Sequence, residues 1–476
     1  MTEHVESRAR AQADRLDLES VRAWLEDQRW YASKSRHVTG LQVDESVVIG
    51  ELPPLLLTLM QARFASGSHE LYQLPFALLA PAQLGARTAV AAADDWVAVD
   101  AVADPELTRE LLRHIDAERS LDGEGGCFRF QRVEASTPAR SLPIDAPARP
   151  MGVEQSNSSI VFGDETVLKV FRRLEPGINP ELELLQFLSR REFPNIAPLQ
   201  GWYEYDGKAF SATLGVAQRF FPDAVGGWEL ALTQIASDPE LFLTELGSLG
   251  TVTAELHNCL GSDAGDPSFH PEEPSAESLS LLTATIDEDI ERIFVRLPED
   301  DRVATIAGRG QDVREQIAMR AQTGAGGRSI RTHGDYHLGQ TLHLSDPTRP
   351  GGIGWLIIDF EGEPARPLFE RRQQRSPLRD VAGMLRSLAY ATSAAEIMRG
   401  TPAPVDFEER ARTIFLEHYF RTIEPGLLPA GDAAVWNLLA IFELEKALYE
   451  LQYELDNRPD WLPIPVAGIA RLLESQ

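Results

Sequence analysis

The stretch RTHGDYHLGQ, residues 331–340, followed by WLIIDFEGE, residues 355–363, decides how this chain reads. It sets Asp335 in a polar, Gly-containing loop, Gln340 five positions on, and Asp359 at the end of an apolar run. An acid, a carboxamide and a second acid in that order suit phosphoryl transfer from a nucleotide. One carboxylate meets the proton of the acceptor hydroxyl, while an amide oxygen and another carboxylate hold Mg²⁺ on the phosphates. Between them, Thr341-Leu-His-Leu and Trp355-Leu-Ile-Ile flank a Pro/Gly-rich turn, so a hairpin is expected. A hairpin brings Gln340 and Asp359 to one end, where a single ion can touch both.

Protein kinases present the corresponding set as His-Arg-Asp-x-x-x-x-Asn and Asp-Phe-Gly. This chain has His333-Gly-Asp-x-x-x-x-Gln and Asp359-Phe-Glu in those places. Each half alone has a plain explanation, a Gly/Asp turn or a buried strand ending in a solvated acid. The ordered combination points to a small-molecule kinase.

At 476 residues the chain exceeds a single core and implies about two or three packed units. Its 43% hydrophobic and 25% charged residues are ordinary for a globular protein. No apolar run approaches a membrane span, and residues 1–10 lack the apolar core of a signal peptide. Cys127 and Cys259 stand far apart without metal-ligand spacing, which fits a reducing cytoplasm. The net charge of −28 disfavours nucleic acid and anionic membranes as partners. Local cations must therefore overcome the field where a nucleotide binds.

Periodicity predicts a helix over 18–30, strands at 54–60 and 71–76, and a short helix over 105–117. Residues 136–150, rich in Pro and Ala, read either as a domain linker or as a loop within one lobe. Beyond them the pattern is strand, polar turn, strand, Gly turn, strand up to Phe171. Asn179 and Pro180 then open a helix as N-cap and first helical residue. From 226 onwards helices are expected at 239–260, 276–295, 311–322, 379–395, 405–421 and 432–455. A β-rich part followed by a helix-rich part is an α+β chain.

A kinase needs a lid over the phosphates and a cation on them. Gln155-Ser-Asn-Ser-Ser offers small side chains and hydroxyls for the lid, through Ser156, Asn157, Ser158 and Ser159. Having no glycine, it reads equally as a plain hairpin tip. Lys169, in the apolar run Thr166–Phe171, either snorkels from an edge strand or points toward the phosphates. Glu183, fourteen residues on in the next helix, is placed to pair with it, with Glu181 as the competing partner. Gln218-Arg-Phe-Phe fits a hinge, where backbone groups meet the adenine and Phe220 flanks it.

Taken together, these segments resemble the maltokinase family of aminoglycoside-phosphotransferase-like kinases. The resemblance runs through Gln28-Arg-Trp-Tyr-Ala, Glu154-Gln-Ser-Asn-Ser-Ser, Leu168-Lys-Val-Phe-Arg-Arg and Gly177-Ile-Asn-Pro-Glu-Leu-Glu-Leu. It continues through His333–Gln340, Ile358-Asp-Phe-Glu-Gly-Glu-Pro-Ala-Arg-Pro, Ser376–Ser387, Glu445-Lys-Ala-Leu-Tyr-Glu and Asn457-Arg-Pro-Asp-Trp. It implies a bilobal protein-kinase-like fold with an N-terminal cap: cap 1–104, nucleotide lobe 105–222 and helical lobe 223–476. It also implies ATP and Mg²⁺ as cofactors and phosphorylation of maltose to maltose 1-phosphate. Related capped kinases with the same Asp-Phe-Glu-Gly-Glu-Pro segment act on glucosamine, which is the alternative acceptor. No synthase domain is expected within this length. The resemblance implies a free-standing enzyme with a trehalose synthase as a possible partner, and a monomer or weak homodimer is expected.

On the acceptor side, Lys446, Tyr449, Glu450 and Tyr453 share one face of the helix at 441–455. Spacing alone suits a solvated face; the resemblance makes Lys446 and Tyr449 sugar contacts. His337, two residues from Asp335, is expected to face the acceptor, and His333 to hold the loop. His257 reads as a satisfied core residue, Trp461 as an anchor, and Arg379 and Asp380 as braces behind the loop. A catalytically inactive kinase-like binding module is the alternative of a different class. The presence of every catalytic residue type argues against it.

Overall fold

The computed structural model describes residues 15–133, 141–152, 157–263, 265–322, 326–345 and 354–474. The chain is α+β and divides into two compact units. One holds residues up to Ser189 with Ala197–Pro222; the other holds Arg190–Ile196 with the residues from Asp223.

The first unit opens with α1 (Leu18–Asp27), where the Asp17 side chain accepts from the Glu19 N–H and caps the helix. Strands β1 (Val38–Glu51), β2 (Pro54–Phe64), β3 (His69–Leu79), β4 (Ala89–Ala92) and β5 (Val97–Asp100) make an antiparallel sheet in the order β1-β2-β3-β5-β4. Trp30, Tyr31, Val48, Leu56, Phe76 and Trp96 are among its core. Next come α2 (Pro105–Asp116), β6 (Ser120–Asp122), β7 (Gly126–Arg132), β8 (Ala148–Pro150), β9 (Asn157–Phe162), β10 (Thr166–Phe171) and β11 (Arg173–Leu174). They are followed by α3 (Pro180–Arg190), β12 (Leu199–Gly207) and β13 (Ser211–Arg219). The second sheet runs β6-β7-β12-β13-β10-β9-β8, while β11 leaves it to pair with β3 of the first. The described end of the Pro/Ala stretch is therefore an edge strand, β8 on β9, rather than a free linker.

The second unit holds β14 (Val225–Gly226), α4 (Gly227–Ser237), α5 (Pro239–Leu260), α6 (Ala276–Phe294) and α7 (Gly310–Ala321). After the hairpin β15 (Thr341–His343) and β16 (Trp355–Ile357) come α8 (Leu368–Arg371), α9 (Leu378–Arg399), α10 (Phe407–Thr422), α11 (Asp432–Asn457) and α12 (Pro463–Glu474). Trp461 ends a short 3-10 turn, Pro459–Trp461, and α12 starts two residues later. Its prolines, Pro463 and Pro465, fall in the first turn, where no intrahelical N–H partner is lost. Ile286, Ile290 and Ile293 of α6 pack with Ile441, Leu444 and Leu448 of α11 and Ile469 of α12. Their spacing of three and four puts one stripe of each helix inward, and each such side chain stabilises by about 1.5–3 kcal/mol when fully buried. Among the described residues no helix is long and apolar enough to cross a membrane.

Candidate active site

In the second unit the loop 333–337 is held from behind by α9. Asp380, buried in the first turn of that helix, accepts from the backbone N–H of His333 at 2.8 Å and of Gly334 at 3.0 Å. It also accepts from His257 Nε2 at 3.2 Å, and the other ring nitrogen of His257 lies 2.9 Å from the Tyr419 hydroxyl. Burial alone would raise the Asp380 carboxyl, but His257, His333 and the Gly334 amide outweigh it and hold it below its ordinary value. Gly334 has a left-handed φ of 85°, and a Cβ there would lie 3.3 Å from the Gly362 Cα. Gly383 lets the loop close on α9, since a Cβ would meet the Tyr336 carbonyl at 2.5 Å. As expected, His333 holds the loop: Nε2 meets the Ile358 carbonyl at 2.9 Å and Nδ1 the Asp335 N–H at 3.3 Å. A backbone N–H can only donate, so Nδ1 is the acceptor and Nε2 carries the proton.

Asp335 is the acid this loop presents. Its Oδ1 is 3.5 Å from Lys446 Nζ, and its Oδ2 is 3.6 Å from His337 Nε2. The His337 ring is oriented by its Nδ1, which accepts from the Gly339 N–H at 3.0 Å, so the protonated Nε2 faces Asp335. Burial would raise the Asp335 carboxyl; His337, then Lys446 and His333, hold it well below the usual carboxylate range. Burial would likewise depress Lys446, but Asp335, Glu363 and Glu450 push it up. At neutral pH the pair is a carboxylate beside an ammonium.

The two expected strands pair antiparallel, with Thr341 opposite Ile357. It puts Gln340 and Asp359 together, with Gln340 Nε2 donating to Asp359 Oδ2 at 2.9 Å. Asp359 itself has φ 63°, a left-handed conformation that few residues other than Gly, Asn and Asp adopt readily. Carboxylate oxygens of Asp359 and Glu361 come within 4.8 Å of each other. Oxygen donors of this kind fit a hard divalent cation. Sequence reasoning missed Glu361, although the Asp-Phe-Glu spacing offered it.

Beside Asp335 a cavity of about 140 Å³ is lined by Glu363, Arg366, Arg379, Glu445, Lys446 and Tyr449, among others. Lys446 and Tyr449 thus face it together, Nζ lying 5.2 Å from the phenol ring centre. Two other expectations for α11 need correction. Glu450 points to α9, where Arg386 Nε and Nη2 hold its carboxylate at 2.9 and 2.7 Å. Tyr453 does not line the cavity; it is exposed beneath the Arg458 guanidinium, 5.2 Å from the ring. Around the cavity the acids have cationic partners: Glu363–Arg366 at 2.8 Å, Glu445–Arg379 at 2.7 Å and Glu370–Arg366 at 3.5 Å. Arg379, expected to brace the loop, serves this network; the bracing is done by Asp380.

In the first unit Lys169 stands on β10 opposite Ser159 of β9 and Val216 of β13. Its Nζ lies 2.7 Å from Glu181 Oε2, so the competing acid takes the pairing expected of Glu183. Residues two apart on a helix diverge by about 200°, and the face of α3 turned to the strand is that of Glu181. The Glu181 N–H in turn donates to the Asn179 side chain at 2.8 Å, the anticipated cap. Ser156 lies outside the described residues. Asn157, Ser158 and Ser159 are not a loop tip but the start of β9, paired with Phe171, Val170 and Lys169. Ladder pairing wins there over the turn preference of Asn and Ser. Gln218, the penultimate residue of β13, has its side chain buried, Nε2 lying 3.4 Å from the Ala197 carbonyl. The Phe220 N–H is taken by the Glu165 carbonyl at 2.9 Å, which removes that amide from the expected hinge contact with adenine.

Residues 24–104 match the maltokinase N-terminal cap domain. The chain is 29% identical over 342 residues to a glucosamine kinase of Mycolicibacterium smegmatis, covering 68% of this chain and 79% of that protein. It is 26% identical over 336 residues to a glucosamine kinase of Streptacidiphilus jiangxiensis, covering 67% and 72%. A solved glucosamine kinase in complex with glucosamine, ADP and inorganic phosphate superposes with a TM-score of 0.65 at 21% identity, covering 92% of this chain and 94% of that one. A glucosamine kinase in its crystal form B aligns with a TM-score of 0.67 at 19% identity, covering 93% of this chain and 96% of that one. At these identities the superpositions show the fold. The chain thus carries a maltokinase-type N-terminal cap at residues 24–104 on a kinase-like fold.

Proposed function

We propose that this kinase transfers the γ-phosphoryl group of ATP to a sugar hydroxyl, with the anomeric hydroxyl of maltose as first acceptor. The observation that carries the reading is Asp335 in the cavity wall, flanked by Lys446 and a His337 ring held in one tautomer. Asp335 orients the acceptor hydroxyl and takes its proton as the oxygen attacks phosphorus and the bond to ADP breaks. An acid held this low is a weak base. Phosphoryl transfer tolerates that, because its transition state is loose and needs positioning more than early deprotonation. Lys446 and Tyr449 hold sugar hydroxyls and a sugar face. Gln340 and Asp359, with Glu361 beside them, would hold Mg²⁺, which neutralises phosphate charge when bound. Lys169, anchored by Glu181, sits on the α- and β-phosphates, and Gln218 and Phe220 lie toward the adenine. In this reading residues 1–104 are the cap, 105–222 the nucleotide lobe and 223–476 the acceptor lobe.

Two features support maltose. The cap is of maltokinase type, and Glu363 and Glu445, which line the cavity, are engaged by arginines rather than left for an ammonium. Glucosamine is the second reading. It is supported by the two curated relatives and by a cavity of about 140 Å³, small beside the ~300–1,000 Å³ of drug-sized sites. ATP consumption across maltose, glucosamine, glucose and trehalose, followed by NMR of the product, tests both. Robust glucosamine phosphorylation without maltose turnover would replace the acceptor and leave the mechanism; no turnover of any sugar would sink the reading.

A further inference from the structure

The strand that carries Lys169 is gripped from the cap. Arg172, three residues along and buried, gives Nη1 to Asp100 Oδ1 at 3.0 Å and Nη2 to Asp100 Oδ2 at 2.7 Å. Its Nε donates to Ser158 Oγ on β9 at 2.9 Å, and its guanidinium lies 5.0 Å from the Trp30 ring centre. The Asp100 carboxylate is itself fixed, since Oδ1 also accepts from the Val102 N–H at 3.1 Å. Around this fork the seam continues. Arg173 meets Glu70 at 3.1 Å, and Gln73 Nε2 donates to the carbonyls of Phe171 and Leu214 at 2.9 and 2.8 Å. Trp30, Glu70, Gln73 and Asp100 all fall within the cap match.

A buried ion pair is a poor source of stability, because desolvation offsets most of the Coulomb gain and apolar packing would serve as well. What a two-pronged guanidinium–carboxylate contact adds is geometry: it fixes a plane, a distance and a direction. Here the fixed object is the β9–β10 hairpin, held just past the end of β10 at Arg172 and on β9 through Ser158. Lys169 lies in that hairpin, opposite Ser159. We propose that Asp100 is a positioning residue for the nucleotide site: acting through Arg172, it sets where the hairpin presents the Lys169 ammonium. The cap is then a working part of ATP binding. This rests on the reading of Lys169 as a phosphate contact.

Asp100→Asn, Arg172→Lys and Ser158→Ala test it in the full-length protein, with Lys169→Ala and the pair Asp100→Asn/Lys169→Ala for comparison. Nucleotide affinity by calorimetry, both Michaelis constants and circular dichroism are measured. Asp100→Asn and Arg172→Lys are expected to weaken ATP by about tenfold, in the range of mutations that act at a distance. Sugar should change by less than about twofold, since only the nucleotide contact moves. Ser158→Ala, which keeps the ion pair, acts in the same direction but less, and carries the test if Asp100→Asn does not fold. The deciding measurement is the double mutant. Once Lys169 is gone, Asp100→Asn should cost little more nucleotide affinity, because coupled residues are non-additive. Additive losses, or equal rises in both constants, overturn the positioning role while leaving the kinase reading in place. A wild-type protein that binds no nucleotide overturns both.

Discussion

Lys446 Nζ lies 3.5 Å from Asp335 Oδ1, so α11 brings its cation to the acid of a loop 111 residues earlier. The contact is long for a hydrogen bond, so each group keeps hydrogen-bonding capacity for a third polar group beside the pair. It ties α11 to the acid of the 333–337 loop, so a change on either side is felt at the other.

Asp335→Asn should lower turnover by about 10²–10⁴-fold, the usual range for general base catalysis. Nucleotide affinity should stay near wild type, because the side chain faces the acceptor cavity. Single-turnover rates beside ADP titrations separate the two. A loss under threefold with chemistry rate-limiting would take Asp335 out of this role.

Lys446→Met should move the acid limb of the pH–rate profile upward. The active form of Asp335 is the carboxylate, and its folded-state value is depressed, so activity is lost only as pH falls through that depressed value. Removing the ammonium leaves His337 as the chief group opposing the effect of burial, and the limb shifts toward neutral pH. The Michaelis constant for sugar should rise more than that for ATP. A limb that stays in place would show that Lys446 does not act on Asp335.

Asp359→Ala should sharply raise the Mg²⁺ concentration needed for half-maximal rate, and Gln340→Ala should raise it less, a neutral carbonyl being the weaker ligand for a hard cation. Titration of Mg²⁺ against rate at fixed ATP measures both. Identical curves for wild type and Asp359→Ala would remove that carboxylate from the metal.

Asp380→Asn should destabilise the protein by about 1.5–3 kcal/mol at pH 7, the value of hydrogen bonds to a charged group. The native carboxyl is depressed, so its contribution is complete above the unfolded value near 3.9 and fades as pH falls toward the native one. The gap between variant and wild type should therefore narrow below about pH 4. Urea unfolding at both pH values checks the sign; a gap that widens in acid would contradict it.

Strong periodicity made the long helices legible: α5 and α11 begin where the pattern predicts, at residues 239 and 432. The hairpin joining Gln340 to Asp359 was legible because a Pro/Gly turn between two short apolar runs has few alternatives. Features decided by distant partners were not. Asn157–Ser159 look like a turn until β10 pairs with them, and Glu450 looks like a sugar contact until Arg386, 64 residues away, claims it. The choice between Glu181 and Glu183 depended on the rotation of α3 about its axis, which two-residue spacing leaves ambiguous.

The pairing of β11 with β3 has a consequence for how the cap is made. Its recognisable sequence stops at residue 104, yet its sheet takes its last strand from Arg173 and Leu174, opposite Tyr72 and Leu71. On the ribosome that sheet stays unfinished until about seventy further residues have emerged. A fragment cut at 104 would keep the bare edge for good, with unpaired backbone groups beside a buried Glu70, the kind of edge that recruits strands from other chains. The smallest soluble cap should therefore be one that ends after Leu174.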